Sequence, residues 1–408
     1  MKILLLAEVS VANISGGAER VLHQQALGLA ARGHRVRVLT RMPVEGDPVH
    51  VEAGGITEIR FPVDRRNAFS FFFSTLWNIK HAWAVLVRDW VPDVIVAHQA
   101  LPTLAGPGRL SRIPVVYVCL SLAHEEFETR NDPGDGITGE IWYRVSSLAR
   151  RWTERTVVRS AQRLIVLSDF MRRRVLDCHQ VTAERIRMVP GGVDSEVFSP
   201  CQGRRSVRAR LGLEEDGFIL FTVRNLVPRM GLSELIDAIP RLRKEIQGLL
   251  LLIGGTGPLR SQLEAQVKVL GLGACVKLLG FIPEARLPDY YRAADLFVLP
   301  TAQLEGFGLV TVESLASGTP VLGTPIGATE EILGKLEGSL VAKGADSESL
   351  AVGIAALYRR FKTDPAWRGR LAEEGRALVL RDYTWARHCE QLEAVLSEVI
   401  NSPSRRNS

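Results

Sequence analysis

Short apolar runs, each followed by a loop and a helical pattern, recur along the whole chain, and this repetition constrains the fold more than any other feature. The first forty residues contain an apolar run at 2–6, a glycine loop at 15–17, a helical stretch at 18–32 and a second run at 35–40. The runs are continuously apolar rather than alternating, as expected for parallel strands covered by helices on both faces. The chain therefore begins as a doubly wound α/β domain.

The apolar runs form two series, one in each half of the chain. The further runs lie at 94–97, 115–119, 164–167 and 187–189 in the first half, and at 218–223, 249–253, 276–278, 296–299 and 320–322 in the second. This pattern predicts two Rossmann-like domains that face each other across a cleft. We expect the first domain over residues 1–198, the second over 199–375, and a C-terminal helix with a frayed tail in 376–408.

Composition and cysteine spacing narrow the class of protein. The 408 residues are 46% hydrophobic and 24% charged, as in folded multidomain proteins. The five cysteines lie far apart without zinc-ligand spacing, which favours a reducing compartment and no structural metal. The N-terminal run is interrupted by Glu8, and no uncharged apolar stretch reaches about 18 residues. We therefore expect a cytoplasmic protein.

Positive charge is concentrated in one segment. The net charge is +6, and residues 143–175 contain nine arginines against the two acids Glu154 and Asp169. Within this segment, Arg151, Arg155 and Arg159 are four residues apart and share one helical face. Such a stripe attracts anions, although it is also typical of a solvated helix face. Nucleic-acid binding is disfavoured because no binding motif accompanies it.

Three glycine-bearing loops follow strands, where ligands of doubly wound domains bind. They lie at 15–19, 254–258 and 305–308. Any one of them has a purely structural explanation, since glycine satisfies positive φ or close packing. The second loop lacks the third glycine of a dinucleotide fingerprint, so a nicotinamide-dependent oxidoreductase is disfavoured.

The segment 305–313, with sequence EGFGLVTVE, is the most informative. Glu305 closes a strand, and a helix is expected over 308–317, so that Glu313 lies on its first turns. The unpaired amides at the start of that helix suit phosphate oxygens, and carboxylates suit sugar hydroxyls. Taken alone, the two glutamates are also explained as a helix cap and an ordinary helical carboxylate.

Several segments together resemble a known family. The segment 305–313 resembles the E-x7-E motif of the retaining GT-B glycosyltransferases, the family of sucrose synthases and many bacterial envelope mannosyl- and glucosyltransferases. Four other segments agree in order and spacing: GGAER at 16–20 resembles the acceptor-side glycine loop, PGGVD at 190–194 with Phe198 the interdomain segment, VRNLVP at 223–228 the donor loop, and AADLFVLP at 293–300 the strand before E-x7-E.

The resemblance implies an α/β GT-B fold, a nucleoside-diphosphate sugar as donor and a crossover of the C-terminal helix onto the first domain. Glu313 would bind ribose hydroxyls, Glu305 the donor sugar, and Arg224 the diphosphate leaving group. We take Glu305, Arg224, Arg229 and His98 as candidate catalytic residues, and Gly16, Gly17, Gly255, Gly257, Gly306, Phe307, Gly308, Leu309, Val310 and Glu313 as candidate donor-binding residues.

The sequence departs from the family at two places. Met230 stands where a lysine usually completes the donor loop, and we expect Arg229 to replace that cation. The histidine usual after the strand at 115–119 is missing near Leu120; His98 and His124 are the alternatives, and each is as readily structural. A non-catalytic sugar-nucleotide-binding module and a sugar-nucleotide epimerase therefore stay open beside the transferase.

No metal or other cofactor is expected, because the chain lacks an Asp-x-Asp pair. The expected acceptor is a glycan or lipid-linked hydroxyl of the cell envelope. The aromatic and cationic segment 61–90 is either the buried stripe of an ordinary helix (Phe72, Leu76, Ile79, Trp83 and Leu86) or a peripheral contact with the inner face of an anionic membrane.

Overall fold

The computed structural model describes residues 1–11, 16–105, 113–131, 136–201 and 203–402. The contacts divide the chain into two compact units. The first unit contains Met1–Pro190 and the last helix of the chain, and the second contains Gly191–Thr384. The expected boundaries were at residues 198 and 375, whereas this division lies at 190 and 384.

An eight-stranded sheet forms the first unit. Its strands are β1 (Lys2–Leu6), β2 (Arg35–Arg41), β3 (His50–Ala53), β4 (Ile56–Phe61), β5 (Val94–Ala97), β6 (Val115–Cys119), β7 (Arg163–Val166) and β8 (Ile186–Met188), in the order β3-β4-β2-β1-β5-β6-β7-β8. Its helices are α1 (Gly17–Ala31), α2 (Ala68–Asp89), α3 (Ala100–Ala105), α4 (Ala123–Arg130), α5 (Gly136–Ser160) and α6 (Asp169–His179). Apart from the antiparallel pair β3–β4, neighbouring strands are parallel.

The strand β1 shows why continuously apolar runs were informative. Leu4 and Leu6 belong to one hydrophobic core, and Ile3 and Leu5 to another. Successive side chains point to opposite faces of a strand, so both faces of the sheet are covered.

The hairpin β3–β4 was not expected from the sequence. Its second strand contains Glu58 and Arg60, and charged residues disfavour a buried-strand interpretation. In the fold both are buried as an ion pair: Arg60 Nη2 lies 2.7 Å from Glu58 Oε2, and the hydroxyls of Ser10 and Thr40 donate to Oε1 at 2.8 and 2.7 Å. Burial works to raise the pKa of Glu58, but these hydrogen bonds outweigh it and lower the pKa.

A five-stranded, wholly parallel sheet forms the second unit. Its strands are β9 (Phe218–Val223), β10 (Leu249–Gly254), β11 (Val276–Gly280), β12 (Leu296–Leu299) and β13 (Val321–Gly323), in the order β11-β10-β9-β12-β13. Its helices are α7 (Arg204–Arg210), α8 (Leu232–Leu242), α9 (Arg260–Val269), α10 (Leu287–Ala293), α11 (Leu309–Ala316), α12 (Thr329–Leu333), α13 (Ser347–Thr363) and α14 (Pro365–Asp382).

The last helix, α15 (Trp385–Asn401), lies in the first unit, where it packs against α1. Leu392, Val395, Leu396 and Val399 lie on the same side of this helix and join the core that contains Ile3. Among the described residues, none of the helices has both the length and the apolar character required to cross a bilayer.

Candidate active site

Charged residues meet at the carboxyl edge of the second sheet, where the loops after β9 and β12 come together. Arg224 directly follows β9, and its Nη2 donates to Glu305 Oε2 at 2.5 Å and to Thr301 Oγ1 at 3.1 Å. The Thr301 hydroxyl also donates to Glu305 Oε2 at 2.8 Å. All three side chains are buried. The structure therefore brings together Arg224 and Glu305, which the sequence assigned to one site from positions 81 residues apart.

Met230 is directly part of this arrangement. Its sulfur lies 3.2 Å from Arg224 Nε and 2.8 Å from Nη2. The position where the family usually has a lysine is therefore filled by a weak acceptor that orients the guanidinium. It adds no positive charge beside Arg224.

Arg229 braces the loop that carries Glu305. Its Nη1 donates to the carbonyl of Leu304 at 2.9 Å, and its own carbonyl accepts from the amides of Ala302 and Gln303. Leu304 has φ of 55°, in the left-handed region that non-glycine residues rarely adopt. Arg229 therefore holds a strained residue next to Glu305, a role that the sequence did not suggest. Its expected contact with the diphosphate remains a prediction.

The glycine loop after β10 packs directly on the donor loop. Gly255 has φ of 118°, and a Cβ there would lie 1.8 Å from the carbonyl oxygen of Arg224. At Gly257 a Cβ would lie 2.5 Å from the carbonyl oxygen of Leu226. Glycine is needed at both positions because backbone meets backbone. These two candidates therefore shape the loop that carries Arg224.

The segment after Glu305 forms the start of α11. Gly308 is its N-cap, and the first amides of a helix have no acceptor within the helix, so the amides of Leu309 and Val310 suit an anion. Gly306 is half-buried. The Phe307 ring, by contrast, is buried against Tyr383 at a centroid distance of 5.7 Å, so its side chain contributes to hydrophobic packing.

Glu313 lies on α11 and is buried. The hydroxyl of Tyr291, which is itself fully buried, donates to Glu313 Oε2 at 2.8 Å. This bond fixes one carboxylate oxygen. Tyr291 was not identified from the sequence, because nothing in its local pattern distinguishes it from an ordinary core aromatic residue.

Two family models match the chain in succession. Residues 15–197 match Glycosyltransferase Family 4, and residues 203–376 match Glycosyl transferases group 1. The chain is 28% identical to a glycogen synthase of Mycobacterium tuberculosis over 94% of this chain and 92% of that protein. It is also 28% identical to a D-inositol 3-phosphate glycosyltransferase of Acidothermus cellulolyticus, over 95% and 86%.

Solved structures show the same fold. Sucrose-phosphate synthase of Thermosynechococcus elongatus superposes with a TM-score of 0.80 at 23% identity, covering 99% of this chain and 100% of that one. The Anabaena protein HepE in complex with UDP and glucose gives a TM-score of 0.75 at 20% identity, covering 98% and 100%. The chain is a family 4-like glycosyltransferase with the GT-B fold.

In the first unit of the glycosyltransferase, His98 lies at the carboxyl end of β5. It is buried, and among the described residues neither ring nitrogen has a hydrogen-bond partner. Burial, together with the nearby His388, lowers the pKa of His98 to about 3, so the ring is neutral at pH 7. A neutral imidazole suits a hydroxyl rather than a phosphate. Gly16 is the N-cap of α1 and Gly17 its first residue, whereas Ser15 lies outside the described residues.

A carboxylate at the same edge of the sheet as His98 was missed. Glu8 follows β1, which pairs with β5, and its amide donates to the side-chain oxygen of Gln99 at 2.8 Å. Burial raises the pKa of Glu8, while Arg41 and Arg150 act in the opposite direction. The strand order reverses between β1 and β5, and ligands of doubly wound sheets bind at such a point. That topological rule would have identified Glu8 once the strand order was known.

His124 does not join this group of residues. Its Nδ1 lies 3.7 Å from Oε2 of the fully buried Glu154, whose Oε2 is 3.5 Å from Nε2 of His179. The ligand atoms of His124, Glu125 and Cys178 lie within 4.8 Å of one another, an association that the sequence spacing did not reveal. Because the guanidinium of Arg174 is ion-paired with Glu125, a metal cation there would meet positive charge. We therefore do not assign these three residues as a metal site.

Proposed function

We propose that the glycosyltransferase is a retaining, metal-independent enzyme that moves a hexosyl group from a nucleoside-diphosphate sugar to an acceptor hydroxyl in cell-envelope polysaccharide or glycolipid synthesis. The observation that carries the proposal is the buried Arg224–Glu305 pair beside the first amides of α11. A guanidinium and free amides together suit a pyrophosphate, and a carboxylate suits sugar hydroxyls. The neighbours HepE with UDP-glucose and HepE with UDP and glucose support this choice of donor class.

In the proposed reaction, negative charge grows on the diphosphate as the glycosidic bond breaks. Arg224 and the amides of Leu309 and Val310 stabilise that charge, with no rearrangement required because Met230 and Thr301 already hold the guanidinium. The acceptor oxygen attacks from the face that the leaving group occupies, and a donor phosphate oxygen takes its proton. No protein nucleophile is required.

The two glutamates have separate tasks in this scheme. Glu305 Oε2 is occupied by Arg224 and Thr301, so Oε1 is the atom for a donor sugar hydroxyl. Glu313, held by Tyr291, accepts from the ribose hydroxyls. In the first unit, the neutral ring of His98 and the Glu8 carboxylate provide hydrogen-bonding groups for the acceptor.

Met230 gives the second candidate function, a sugar-nucleotide-binding module without transfer activity, since one cation of the family pattern is missing. Incubation with UDP-, ADP- and GDP-sugars, followed by detection of released nucleoside diphosphate, separates the two. Transfer or slow hydrolysis in the wild type, lost in Arg224→Ala and Glu305→Ala, supports the enzyme. Equal inactivity of all three proteins with bound nucleotide supports the module.

An acceptor at a membrane is favoured by two exposed apolar helix faces. On α2, Phe69, Phe73 and Trp77 are four residues apart, and Phe69 and Trp77 are 73% and 76% exposed. Most of the expected inward stripe is confirmed: Ile79 and Leu86 lie in the core, and Leu76 and Trp83 pack against it. Phe72 departs from the stripe and is 40% exposed. Both sides of α2 are therefore apolar. We call the exposed residues Phe69, Phe73 and Trp77 the aromatic face of α2.

The helix α5 has a similar face. Trp142, Val145, Leu148 and Trp152 lie on one side of it and are all exposed. Exposed Arg144 and Arg151 flank them, and both α2 and α5 pack against α3. Aromatic residues flanked by arginines fit an anionic lipid surface. In the predicted arginine stripe, however, Arg155 and Arg159 both donate to Gln180, so these two serve the fold.

Sedimentation with vesicles tests the membrane contact. The wild type should partition onto phosphatidylglycerol-containing vesicles more strongly than onto pure phosphatidylcholine. Replacing Phe73 and Trp77 by serine should lower the bound fraction several-fold, because about 25 cal/mol is lost for each Å² of apolar contact. Phe281→Ser is the matched control, since Phe281 is 63% exposed in the other unit. Equal sedimentation of all variants, or none at all, would exclude this contact.

A further inference from the structure

A cavity at the opposite edge of the second sheet contains more positive than negative charge. It encloses about 530 Å³ at the amino ends of β9 and β12, between α7 and the facing ends of α13 and α14. The donor residues Arg224 and Glu305 lie at the carboxyl ends of the same strands. The cavity is therefore separate from the donor site, and a ligand bound in it does not depend on the proposed function.

Three guanidinium groups converge on one carboxylate in this cavity. Arg204 Nη1 lies 2.7 Å from Asp295 Oδ1, Arg208 Nη2 lies 2.6 Å from Oδ2, and Arg368 Nη2 lies 3.1 Å from Oδ1. Asp295 also accepts from the backbone amide of Ile219. Three cations against one anion leave an excess of two positive charges.

The three arginines differ in how many of their N–H groups already donate hydrogen bonds. Arg208 is buried, and its other nitrogens donate to the carbonyls of Ala293, Glu215 and Gly217, so it serves the fold. Among the described residues, Arg204 makes a single hydrogen bond, and Arg368 donates through Nη2 alone, to Asp295. Guanidinium groups have five N–H donors in a planar fork, so both retain donors for a ligand.

The surroundings of these arginines do not neutralise them. Burial, and then the nearby Arg368, lower the pKa of Arg204 to about 10, which still leaves it charged at pH 7. The acids Glu215 and Asp216 are exposed at the rim, where they pair with Arg205. Lys362 also lines the cavity, so these four residues add no net charge. The remaining walls include Phe218, Tyr358 and Phe361, which offer an apolar surface.

We propose that this cavity binds a soluble phosphomonoester of the size of a hexose phosphate or a nucleoside monophosphate. A phosphate dianion matches the two excess charges and accepts from the guanidinium forks of Arg204 and Arg368. The rest of such a molecule contacts the aromatic wall, and pockets for small ligands commonly have a volume of a few hundred Å³.

Calorimetric titration with inorganic phosphate, a hexose 6-phosphate and adenosine monophosphate tests this site. One of the two organic phosphates should bind more tightly than inorganic phosphate, and Arg204→Gln should raise its Kd about ten- to hundred-fold. Arg370→Gln is the matched control, because Arg370 lies on the same helix as Arg368 but is exposed and paired with Asp364. Its Kd should equal that of the wild type.

Two further variants test the second arginine and the independence of this cavity from the donor site. Arg368→Gln should weaken binding as Arg204→Gln does, so that a folding defect in either one alone does not leave the site untested. Arg224→Gln should bind the probe normally, which separates this cavity from the donor site. Absence of binding in the wild type, an unchanged Kd in both Arg204→Gln and Arg368→Gln, or loss of binding in Arg224→Gln would overturn the proposal.

Discussion

The carboxyl edges of the two sheets differ in the chemistry that they present. In the second unit, backbone packed on backbone at Gly255 holds a guanidinium against a carboxylate, with helix amides alongside. In the first unit, the same edge carries the neutral ring of His98 and the Glu8 carboxylate, whose pKa is raised. The second edge therefore suits an anionic group such as a pyrophosphate, and the first suits hydroxyl groups. Both edges follow parallel strands, and the difference lies in the side chains and loops that come after those strands.

The largest effect is expected from the charged pair of the second unit. Glu305→Gln should lower kcat of the transfer reaction about 10²- to 10³-fold, because Arg224 loses its ionic partner and the donor sugar loses a charged acceptor. Steady-state kinetics with the donor found in the nucleotide-sugar screen measure this. Glu330→Gln, an exposed carboxylate in the same unit, is the control. If Glu305→Gln kept activity within twofold of the wild type, the proposed role of the Arg224–Glu305 pair would be contradicted.

The rigid backbone of the second edge is tested by Gly255→Ala. The added Cβ would lie 1.8 Å from the Arg224 carbonyl at a φ of 118°, so the donor loop must shift. We expect the free energy of unfolding to fall by about 2–4 kcal/mol, as for other severe local strain. Urea unfolding followed by circular dichroism measures it. Gly273→Ala, where a Cβ meets nothing within 4 Å, should be nearly neutral; equal effects of the two would contradict this explanation.

The buried histidines of the first unit predict acid sensitivity. Burial lowers the pKa of His98 to about 3 and that of His388 to about 4, against about 6.5 in the unfolded chain. Below pH 6.5 the unfolded state binds more protons, so stability falls as the pH drops, by at most about 1.4 kcal/mol per pH unit for each histidine. Urea unfolding at pH 7, 6 and 5 measures the slope.

A substitution assigns that slope to the first unit. His388→Asn can still donate to the carbonyl of Pro190 but does not titrate, so stability should depend less on pH. His50→Asn, at an exposed position, should leave the slope unchanged. Identical slopes in the wild type and His388→Asn would show that other groups cause the acid sensitivity.

The smallest effect is expected at Tyr291. Tyr291→Phe removes the hydroxyl that donates to Glu313, and one hydrogen bond to a charged group corresponds to about a tenfold change. The donor KM should rise about tenfold while kcat changes little, because the ribose hydroxyls are bound equally in the ground and transition states. With a 2′-deoxyribose donor the penalty should shrink. A loss confined to kcat would place Tyr291 in another role.

Much of the fold of the two units could be predicted from the sequence. The apolar runs predicted the strands of the second sheet because most of them, β9, β10, β12 and β13, are buried on both faces. The E-x7-E spacing predicted that Glu305 and Glu313 belong to one site. The hairpin β3–β4 was missed because Glu58 and Arg60, which form its buried ion pair, are residue types that usually indicate an exposed segment. The Gly54-Gly55 dipeptide was the available signal, since both residues have positive φ in the two-residue turn.

The rest depends on contacts between distant residues. Three contacts join residues whose local sequence gives no hint of the partner. They are the hydrogen bond from Arg229 to the Leu304 carbonyl, the contact of the Met230 sulfur with Arg224, and the hydrogen bond from Tyr291 to Glu313. Similarly, Asp295 and Arg368 are 73 residues apart. Sequence spacing therefore predicted which groups bind the ligand, and the residues that hold those groups in place became visible only in the fold.

The most direct test asks whether the carboxyl edge of the second sheet, at Arg224, binds a pyrophosphate. It is thermal denaturation of the wild type and of Arg224→Gln with UDP, ADP and GDP. A ligand that binds only the folded chain raises the midpoint by mass action, about 2.7 kcal/mol of stabilisation at a hundredfold excess over Kd. At least one nucleotide should raise the wild-type midpoint by several degrees and leave Arg224→Gln almost unchanged. Equal shifts in both proteins, or no shift with any nucleotide, would contradict it.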